Sequence, residues 1–272
     1  MVTVEREVVR VKQDERPESV KDEVVVEDQV ELYINDACYA IFSCSPSETK
    51  ELVVGHLFTE GVISKIEEIE SLEICEGKVR VGLTGNAATR VPEKPQMILS
   101  SCCSRGLKVP PRLWMKPKIK CDRDFVVKPQ TILKSSAELN SQSSVFKRTG
   151  GTHASAIFDG EGKMLGISED IGRHNAIDKV IGKAVLNGVE ILKAMLVSTG
   201  RLTSEMVVKA ASARVPIVVS MAAPTDKGIQ IAEMTSLTLV GFARVRRFNV
   251  YTNPKRIVFD EELGESQENI NK

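Results

Sequence analysis

The stretch that decides the fold is residues 194–242, which read AMLVSTGRLTSEMVVKAASARVPIVVSMAAPTDKGIQIAEMTSLTLVGF. Three short apolar runs in it, AMLVS, IVVSM and LTLVGF, are separated by two segments whose apolar residues recur at helical spacing. Short unbroken apolar strands that alternate with amphipathic helices are typical of βαβ units, in which helices cover both faces of a sheet. The sequence therefore predicts a three-layer α/β domain in the second half of the chain.

A hairpin and two further helices are predicted ahead of this alternation. THASAIF and KMLGIS form the expected hairpin, which turns at residues 159–162. Apolar residues then recur at helical spacing from Ala176 to Val185, and Asn187-Gly188 supplies a stop signal. A more polar helix is expected near residues 130–146.

The first half of the chain is predicted to be rich in strands. EVVVEDQVELYIND and ACYAIFSCS are expected strands joined at the turn-favouring pair Asn35-Asp36, and SLEICEGKVRVGL has the pattern of a second hairpin. Residues 1–21 are highly charged and are expected to form a weakly ordered arm. The predicted domains are this arm, a smaller strand-rich N-terminal domain over residues 22–125, and an α/β domain over residues 126–272.

One helix in the N-terminal half carries start and stop signals. Ser45 is the predicted N-cap, Pro46 the first helical residue and Glu48 the partner in a capping box. Gly61 is the predicted C-terminal stop. His56 lies on the apolar face of this helix and is expected to be a packed core residue rather than a ligand.

Composition excludes several classes of function. The 272 residues contain 37 basic and 37 acidic side chains, so no overall field favours nucleic acid or an anionic membrane as a partner. The charged N-terminus resembles no signal peptide, and no apolar run reaches the ~18 residues of a membrane span. Six cysteines without a disulfide-scaffold spacing are typical of a reduced, cytoplasmic protein.

Ligands of α/β sheets bind beyond the carboxyl ends of the strands. Three segments occupy such positions: Ser198–Arg201, Ala222–Thr225 and Ala243–Arg247. The segment EDIGRHN precedes the predicted helix at Ala176 in the same manner. Helix starts present unpaired N–H groups that favour anions, so an anionic ligand is expected at this edge.

The densest basic cluster follows the last of these strands. It consists of Arg244, Arg246 and Arg247, flanked by Phe242 and Phe248. Guanidinium groups match phosphate oxygens and aromatic faces stack on bases, which favours a phosphate-binding interpretation. The alternative is a solvated edge strand whose charges prevent aggregation.

Residues 149–178 concentrate polar residues at the ends of predicted elements. Glu169 and Asp170 are compatible with acid–base chemistry together with His174, and equally with a helix cap and a solvated carboxylate. His153 follows a Gly-Gly-Thr turn, where it could orient either a ligand or the turn itself.

The pair Cys102-Cys103 supplies the candidate nucleophile. It lies in SSCCSRG within a Pro-rich interval, and nearby Arg105 and Lys108 would favour a thiolate. Adjacent cysteines are poor ligands for tetrahedral zinc, so no metal site is predicted. The remaining cysteines are interpreted as small apolar fillers or surface thiols.

Several motifs together resemble the formate dehydrogenase accessory sulfurtransferases, the FdhD/NarQ family. They are TGGTHASA, EDIGRHNAIDKVIG, STGRLTSEMVVKAA, AAPT and LTLVGFAR, in that order along the chain. The opening run INDACYAIFSCSPSETKELVVGHLFTEGVI is similar to the same family. The resemblance covers residues 22–254.

The resemblance implies a cytoplasmic homodimer whose larger domain is cytidine-deaminase-like. It implies a sulfur carrier that takes a persulfide from a cysteine desulfurase and passes the sulfur to the molybdenum (or tungsten) bis-guanine-dinucleotide cofactor, which formate dehydrogenase requires. Cys102 then matches the persulfide cysteine. The cofactor-binding segment matches Phe242, Ala243, Arg244, Val245, Arg246 and Arg247.

The chain departs from the family pattern at the cysteine loop. Arg105 stands where the family has a second cysteine, and Cys103 stands where glycine is common. A two-thiol relay through a CxxC pair is therefore lost, and Cys103 is either idle or a substitute resolving thiol. This departure motivates an alternative function, a non-catalytic chaperone that binds and delivers the molybdenum cofactor. A zinc deaminase is disfavoured because the H-x-E and P-C-x-x-C signatures are absent.

Overall fold

The computed structural model describes residues 1–91 and 125–259, which form two sheets and a separate two-stranded ribbon. The strands are β1 (Thr3–Arg10), β2 (Glu18–Val25), β3 (Asp28–Ile34), β4 (Ala37–Cys44), β5 (Ile69–Cys75), β6 (Lys78–Leu83), β7 (His153–Phe158), β8 (Met164–Asp170), β9 (Met195–Ser198), β10 (Ile217–Ser220), β11 (Thr238–Arg244) and β12 (Arg247–Thr252). The helices are α1 (Thr49–Thr59), α2 (Gly85–Ala88), α3 (Pro129–Gln142), α4 (Ser144–Thr149), α5 (Arg173–Leu186), α6 (Ser204–Ser212) and α7 (Asp226–Met234).

The larger sheet has six strands in the order β12-β11-β10-β9-β7-β8. Strands β9, β10 and β11 are parallel, as expected for strands joined through α6 and α7. The hairpin β7–β8 and the edge strand β12 are antiparallel to their neighbours. The carboxyl ends of three parallel strands therefore meet at one edge of the sheet.

Helices cover both faces of this sheet, which gives three layers. One face packs against α5, α6 and α7 through a core that includes Ile177, Val207 and Ile231. The opposite face packs against α3 through Ile132 and Leu139. The predicted α/β class is confirmed. The cytidine-deaminase-like description stays a prediction, as do the domain boundaries.

The smaller sheet has the order β4-β3-β6-β5 and encloses its own core with α1. Helix α1 also crosses α5 of the larger unit with the two backbones in direct contact. A Cβ atom on Gly55 would lie 1.7 Å from the Asp178 carbonyl oxygen, and one on Gly182 would lie 1.9 Å from that of Glu51. Only glycine fits at either position.

Two predictions for the N-terminal half are wrong. Residues 1–21 belong to the ribbon β1–β2, whose eight register pairs run from Thr3–Val25 to Arg10–Glu18, instead of forming a weakly ordered arm. Helix α1 begins at Thr49 after Glu48, whose φ is 54°, so Ser45 is not its N-cap.

Local turn signals were more accurate. Asn35 and Asp36 both have positive φ at the β3–β4 turn, as do Glu76 and Gly77 at the β5–β6 turn. Gly61 takes φ 72° after α1, as predicted. Among the described residues, the helices are all too short or too polar to cross a membrane.

Candidate functional site

Of the three segments predicted to follow the parallel strands, the two after β9 and β10 do so and lie side by side. Ala243–Arg247 instead comprises the last two residues of β11, a two-residue turn and the first residue of β12. Leu202, after β9, donates its N–H to the Ala223 carbonyl, and Thr225 donates its N–H back to Leu202. Phe242, near the end of β11, donates its N–H to the Ala222 carbonyl. The two loops and the end of β11 are thus joined by backbone hydrogen bonds into one continuous rim.

A row of buried serines supports this rim. Ser168, Ser155, Ser198 and Ser220 are register partners on adjacent strands, and none is more than 3% exposed. The Ser198 hydroxyl accepts the Gly200 N–H at 3.2 Å, and the Ser220 hydroxyl donates to the Gly200 carbonyl at 2.7 Å. The two hydroxyls thus satisfy the backbone N–H and carbonyl of Gly200, which lie beyond the hydrogen bonds of the sheet, and so fix the turn after β9.

Sequence reasoning missed the serine row. Its signal is the serine after the aliphatic residues of AMLVS and of IVVSM, which ends β9 and β10, but only the strand register shows that Ser155 and Ser168 continue the same row.

A cationic cluster lies at the same edge, formed by His153, Arg173, His174 and Arg201. His153 begins β7, Arg173 and His174 begin α5, and Arg201 follows β9. Burial lowers the pKa of His153, and Arg173, His174 and Arg201 lower it further. A Cβ on Gly200 would lie 2.9 Å from Cβ of Arg173, so the close approach of that loop to α5 requires glycine. The two histidines of residues 149–178 are therefore close neighbours in space.

Unpaired donors face the start of α5 and of α6. The N-cap residue of α5 is Gly172, which has no side chain to accept a hydrogen bond. The N-cap residue of α6 is Thr203, whose side chain accepts none from the helix. Arg173 Nε and Thr203 Oγ1 are buried and have no hydrogen-bond partner within the described part of the chain. Buried polar atoms are ordinarily paired, and helix starts attract anions, so this geometry fits an anionic group.

One carboxylate contacts the cluster from α6. Oε2 of Glu205 lies 3.2 Å from Nε2 of His174. This contact places the first turn of α6 against the first turn of α5.

The arginine-rich hairpin between β11 and β12 borders the same rim. The register between the strands shifts between Gly241 and Arg244, and Phe242 takes φ 54°, which is rare for a bulky residue. A Cβ on Gly241 would lie 2.9 Å from Cδ of Pro224. The bulge bends the hairpin locally, and backbone strain of this kind is found mainly at functional sites.

The six predicted cofactor-binding residues differ in exposure. Arg244, Val245, Arg246 and Arg247 are exposed, with Val245 at 85%. Phe242 is half-buried, and Ala243 is fully buried in the core on the α3 side of the sheet. Because β12 is an edge strand, the phosphate-binding and solvated-edge interpretations both remain compatible with this position.

Asp170 is occupied by structural contacts. Its carboxylate accepts the N–H groups of Gly172 at 2.8 Å and Ser45 at 3.0 Å, and it pairs with Lys179 at 2.6 Å, both charges being fully buried. Asp170 therefore has a structural role in the turn between β8 and α5, but the helix-cap interpretation is wrong, because the N-cap residue of α5 is Gly172 and no side-chain cap hydrogen bond is formed there.

Glu169 is not simply solvated. It accepts the backbone N–H groups of Val145 and Phe146 at 2.9 and 2.8 Å and the Thr152 hydroxyl at 2.9 Å. It caps α4 and is not free to act as a general base.

His56 is a packed core residue, as predicted. It is 3% exposed, and its Nδ1 lies 3.1 Å from Oδ2 of Asp178.

The predicted nucleophile Cys102 lies outside the described residues, together with Cys103 and Arg105. Of the described cysteines, Cys44 is buried, and burial raises the pKa of its thiol to about 12, which makes it inert. Cys38 and Cys75 are exposed thiols on the smaller sheet.

Comparison with known proteins gives a consistent result. The model of the FdhD/NarQ family matches residues 25–258. The sulfur carrier protein FdhD of Bacillus subtilis is 36% identical over 262 residues, which cover 94% of this chain and 98% of that protein. The sulfur carrier protein FdhD of Methanothermobacter thermautotrophicus is 32% identical over 93% of this chain and 98% of that protein.

A solved structure shares the fold. The crystal structure of a protein assigned as a formate dehydrogenase accessory protein, from Desulfotalea psychrophila, superposes with a TM-score of 0.78. It is 25% identical in sequence, and the match covers 95% of this chain and all of that one.

Proposed function

The chain belongs to the FdhD/NarQ family, and from this premise we propose that it is a sulfur carrier required for formate dehydrogenase activity. It would receive sulfur from a cysteine desulfurase as a persulfide on Cys102. It would transfer that sulfur to the molybdenum (or tungsten) bis-guanine-dinucleotide cofactor, its substrate. The setting would be the cytoplasm, with formate dehydrogenase as recipient and a second copy of the chain as partner in a homodimer.

The observation that carries this proposal is the cationic cluster at the carboxyl edge of the larger sheet. A chain with no net charge concentrates His153, Arg173, His174 and Arg201 around two helix starts. A dinucleotide cofactor carries several phosphate groups, and such groups bind best to unpaired N–H donors and guanidinium forks.

Two parts of the rim would bind the dinucleotide cofactor, which is the cargo of the carrier. The helix starts with Arg173 and Arg201 would bind phosphate, and Gly200 would let the backbone approach it closely. The hairpin residues Arg244 and Arg247 would contact a second phosphate or stack on a base. The strained bulge at Phe242 would orient the β11–β12 hairpin toward the ligand, so one nucleotide could contact both the helix starts and the hairpin.

The sulfur-loading step is a thiol exchange. The Cys102 thiolate would attack the outer sulfur of the desulfurase persulfide, so one S–S bond forms as another breaks and the desulfurase thiolate leaves. No net oxidation occurs. Arg105, three residues along, would favour the thiolate form of Cys102.

Persulfide mapping tests the proposal. After incubation with a cysteine desulfurase and cysteine, mass spectrometry of the native chain should show one added sulfur atom on Cys102. The Cys102→Ala variant should lose the added sulfur and fail to activate formate dehydrogenase, while its affinity for guanosine diphosphate stays unchanged. Cys103→Ala is the matched control and should still load sulfur.

The same measurement addresses the alternative chaperone function, which the Arg105 replacement favours. A delivery chaperone would bind the nucleotide but acquire no sulfur on either cysteine. Persulfide on the Cys102→Ala variant, together with retained activation, would remove Cys102 from the role of carrier.

A further inference from the structure

His153 occupies an unusual position within the cationic cluster. It is half-buried at the first residue of β7, and its Nδ1 lies 3.3 Å from Oγ1 of Thr199. The Thr199 hydroxyl is itself fixed, because it accepts the Ala154 N–H at 3.0 Å and lies 3.4 Å from the Ala154 carbonyl. One ring nitrogen is thus held by the turn after β9, and within residues 1–91 and 125–259 Nε2 is the nitrogen left for another partner.

The charged groups around His153 are predominantly positive. Its electrostatic neighbours are Arg173 and His174 at the start of α5 and the exposed Arg201 in the loop after β9. On β8, Asp170 is its register partner, but that carboxylate is already paired with buried Lys179. On α6, the carboxylate of Glu205 contacts His174.

We infer that His153 takes up a proton when an anionic ligand binds this site, and that Thr199 positions its ring for this purpose. The inference rests on the proposed function, because the anion it assumes is a phosphate group of the nucleotide cargo. It adds a proton linkage that phosphate binding alone does not require.

The physical reason is the balance of charge in the cluster. With no anion present, burial and the guanidinium groups of Arg173 and Arg201 favour a neutral ring, and they lower the pKa of His153. A bound phosphate reverses the local field and offers an oxygen acceptor, so a protonated ring gains a charge-assisted hydrogen bond through Nε2. The pKa of His153 must then be higher in the complex than in the free protein.

The sign of the pH effect follows from linkage. Affinity is lowest at high pH, where the ring is neutral with and without ligand. It rises as the pH falls through the pKa of the complex and levels off below the pKa of the free protein. For one proton the change is at most about tenfold per pH unit.

Calorimetry with guanosine diphosphate tests this inference. The full chain is titrated at neutral pH in two buffers of different ionisation enthalpy, and the difference in heat gives the number of protons taken up. We expect uptake of a substantial fraction of one proton per nucleotide. His153→Gln keeps a polar side chain but should abolish the uptake and flatten the dependence of affinity on pH.

Three further variants separate His153 from its surroundings. His174→Gln is the matched control in the same cluster, and its proton uptake should persist. Arg244→Gln should weaken binding while leaving the uptake unchanged. Thr199→Val should reduce the uptake while the melting temperature and the far-ultraviolet circular dichroism stay native, which identifies a positioning role.

The outcomes are distinguishable. Nucleotide binding without proton uptake, or uptake that vanishes in His174→Gln and persists in His153→Gln, would overturn the inference and leave the proposed cargo site intact. Failure of the native chain to bind guanosine diphosphate would overturn both.

Discussion

A buried charge network joins the two sheet-bearing parts of the molecule. Asp178 on α5 binds Lys209 on α6 at 2.9 Å and also contacts His56 on α1 at 3.1 Å. Thr59 donates its hydroxyl to the other oxygen of Asp178 at 2.8 Å. Burial disfavours this carboxylate, but Lys209 and His56 outweigh that effect and lower the pKa of Asp178 to about 2.

Removing one charge of this network should destabilise the fold strongly. Asp178→Asn leaves buried Lys209 with Glu60, 3.0 Å away, as its remaining counter-charge. Breaking a buried pair completely costs about 3–5 kcal/mol, so a loss of up to about 3 kcal/mol is expected here. The free energy of unfolding, measured by urea denaturation at neutral pH, is expected to fall by that amount.

The loss should depend on pH in a defined direction. A lowered pKa in the folded state means that the stabilisation is present above the ordinary value of 3.8 and is lost as the pH falls toward about 2. The difference between native chain and Asp178→Asn should therefore shrink over that interval. Asp36→Asn, which alters an exposed ion pair with Arg80, is the control and should leave stability unchanged. An equal loss in both variants would contradict a special role for burial.

At the scale of elements, the sequence correctly predicted those turns and helix ends that depend on one or two neighbouring residues. The Asn35-Asp36 turn and the stop at Gly61 were correct because positive φ is a property of one or two residues. The start of α1 was wrong because distant contacts compete for its signals. The Ser45 hydroxyl accepts the Ile171 N–H, the Ser45 carbonyl accepts a hydrogen bond from Lys179, and Glu48 pairs with Lys183.

The same distinction holds for the candidate site: features that depend on the order of elements were predicted, and features that depend on distant contacts were not. The rule that ligands gather at carboxyl strand ends identified the rim segments after β9 and β10, because it needs only the order of strands and helices. The structural role of Glu169 could not be predicted, because its partners lie 17 to 24 residues away in sequence, and the contact of Asp170 with Ser45 spans 125 residues. The Cys102 assignment stays a prediction.

The close contact between α1 and α5 predicts that a larger residue at their crossing destabilises the fold. Gly182→Ala places a methyl group against the Glu51 backbone, which cannot move away as a flexible side chain would. Overpacking of this kind costs about 1–3 kcal/mol or more, so a clear drop in the midpoint of thermal unfolding is expected.

Gly85→Ala is the matched control for that substitution. Gly85 is helical and has no neighbouring atom within 4 Å of an added Cβ, so its replacement should be neutral or slightly stabilising. Comparable destabilisation by both variants would contradict the prediction, because alanine favours helix over glycine and only the close helix crossing makes Gly182→Ala unfavourable.

At the scale of the whole molecule, the sheets and the ribbon differ in how much of their surface packs against other elements. The six-stranded sheet is covered on both faces, whereas the ribbon β1–β2 contacts α4 near Arg148 and the backbone at Gly151. Val4 and Val8 pair with Val24 and Val20 on one face of the ribbon. Glu23 and Val25, which contact the rest of the molecule, are on the opposite face, so the valines face away from it.

This arrangement predicts uneven hydrogen exchange along the chain. An isolated two-stranded ribbon is marginally stable in water, so the amides of β1 and β2 should exchange orders of magnitude faster than those of β9 and β10. Exchange followed by mass spectrometry on the full chain measures both sets in one experiment. Protection of the ribbon equal to that of the central strands would contradict the prediction. If such protection then disappeared on dilution, the valine face would be covered by a second copy of the chain, because only an intermolecular contact depends on protein concentration.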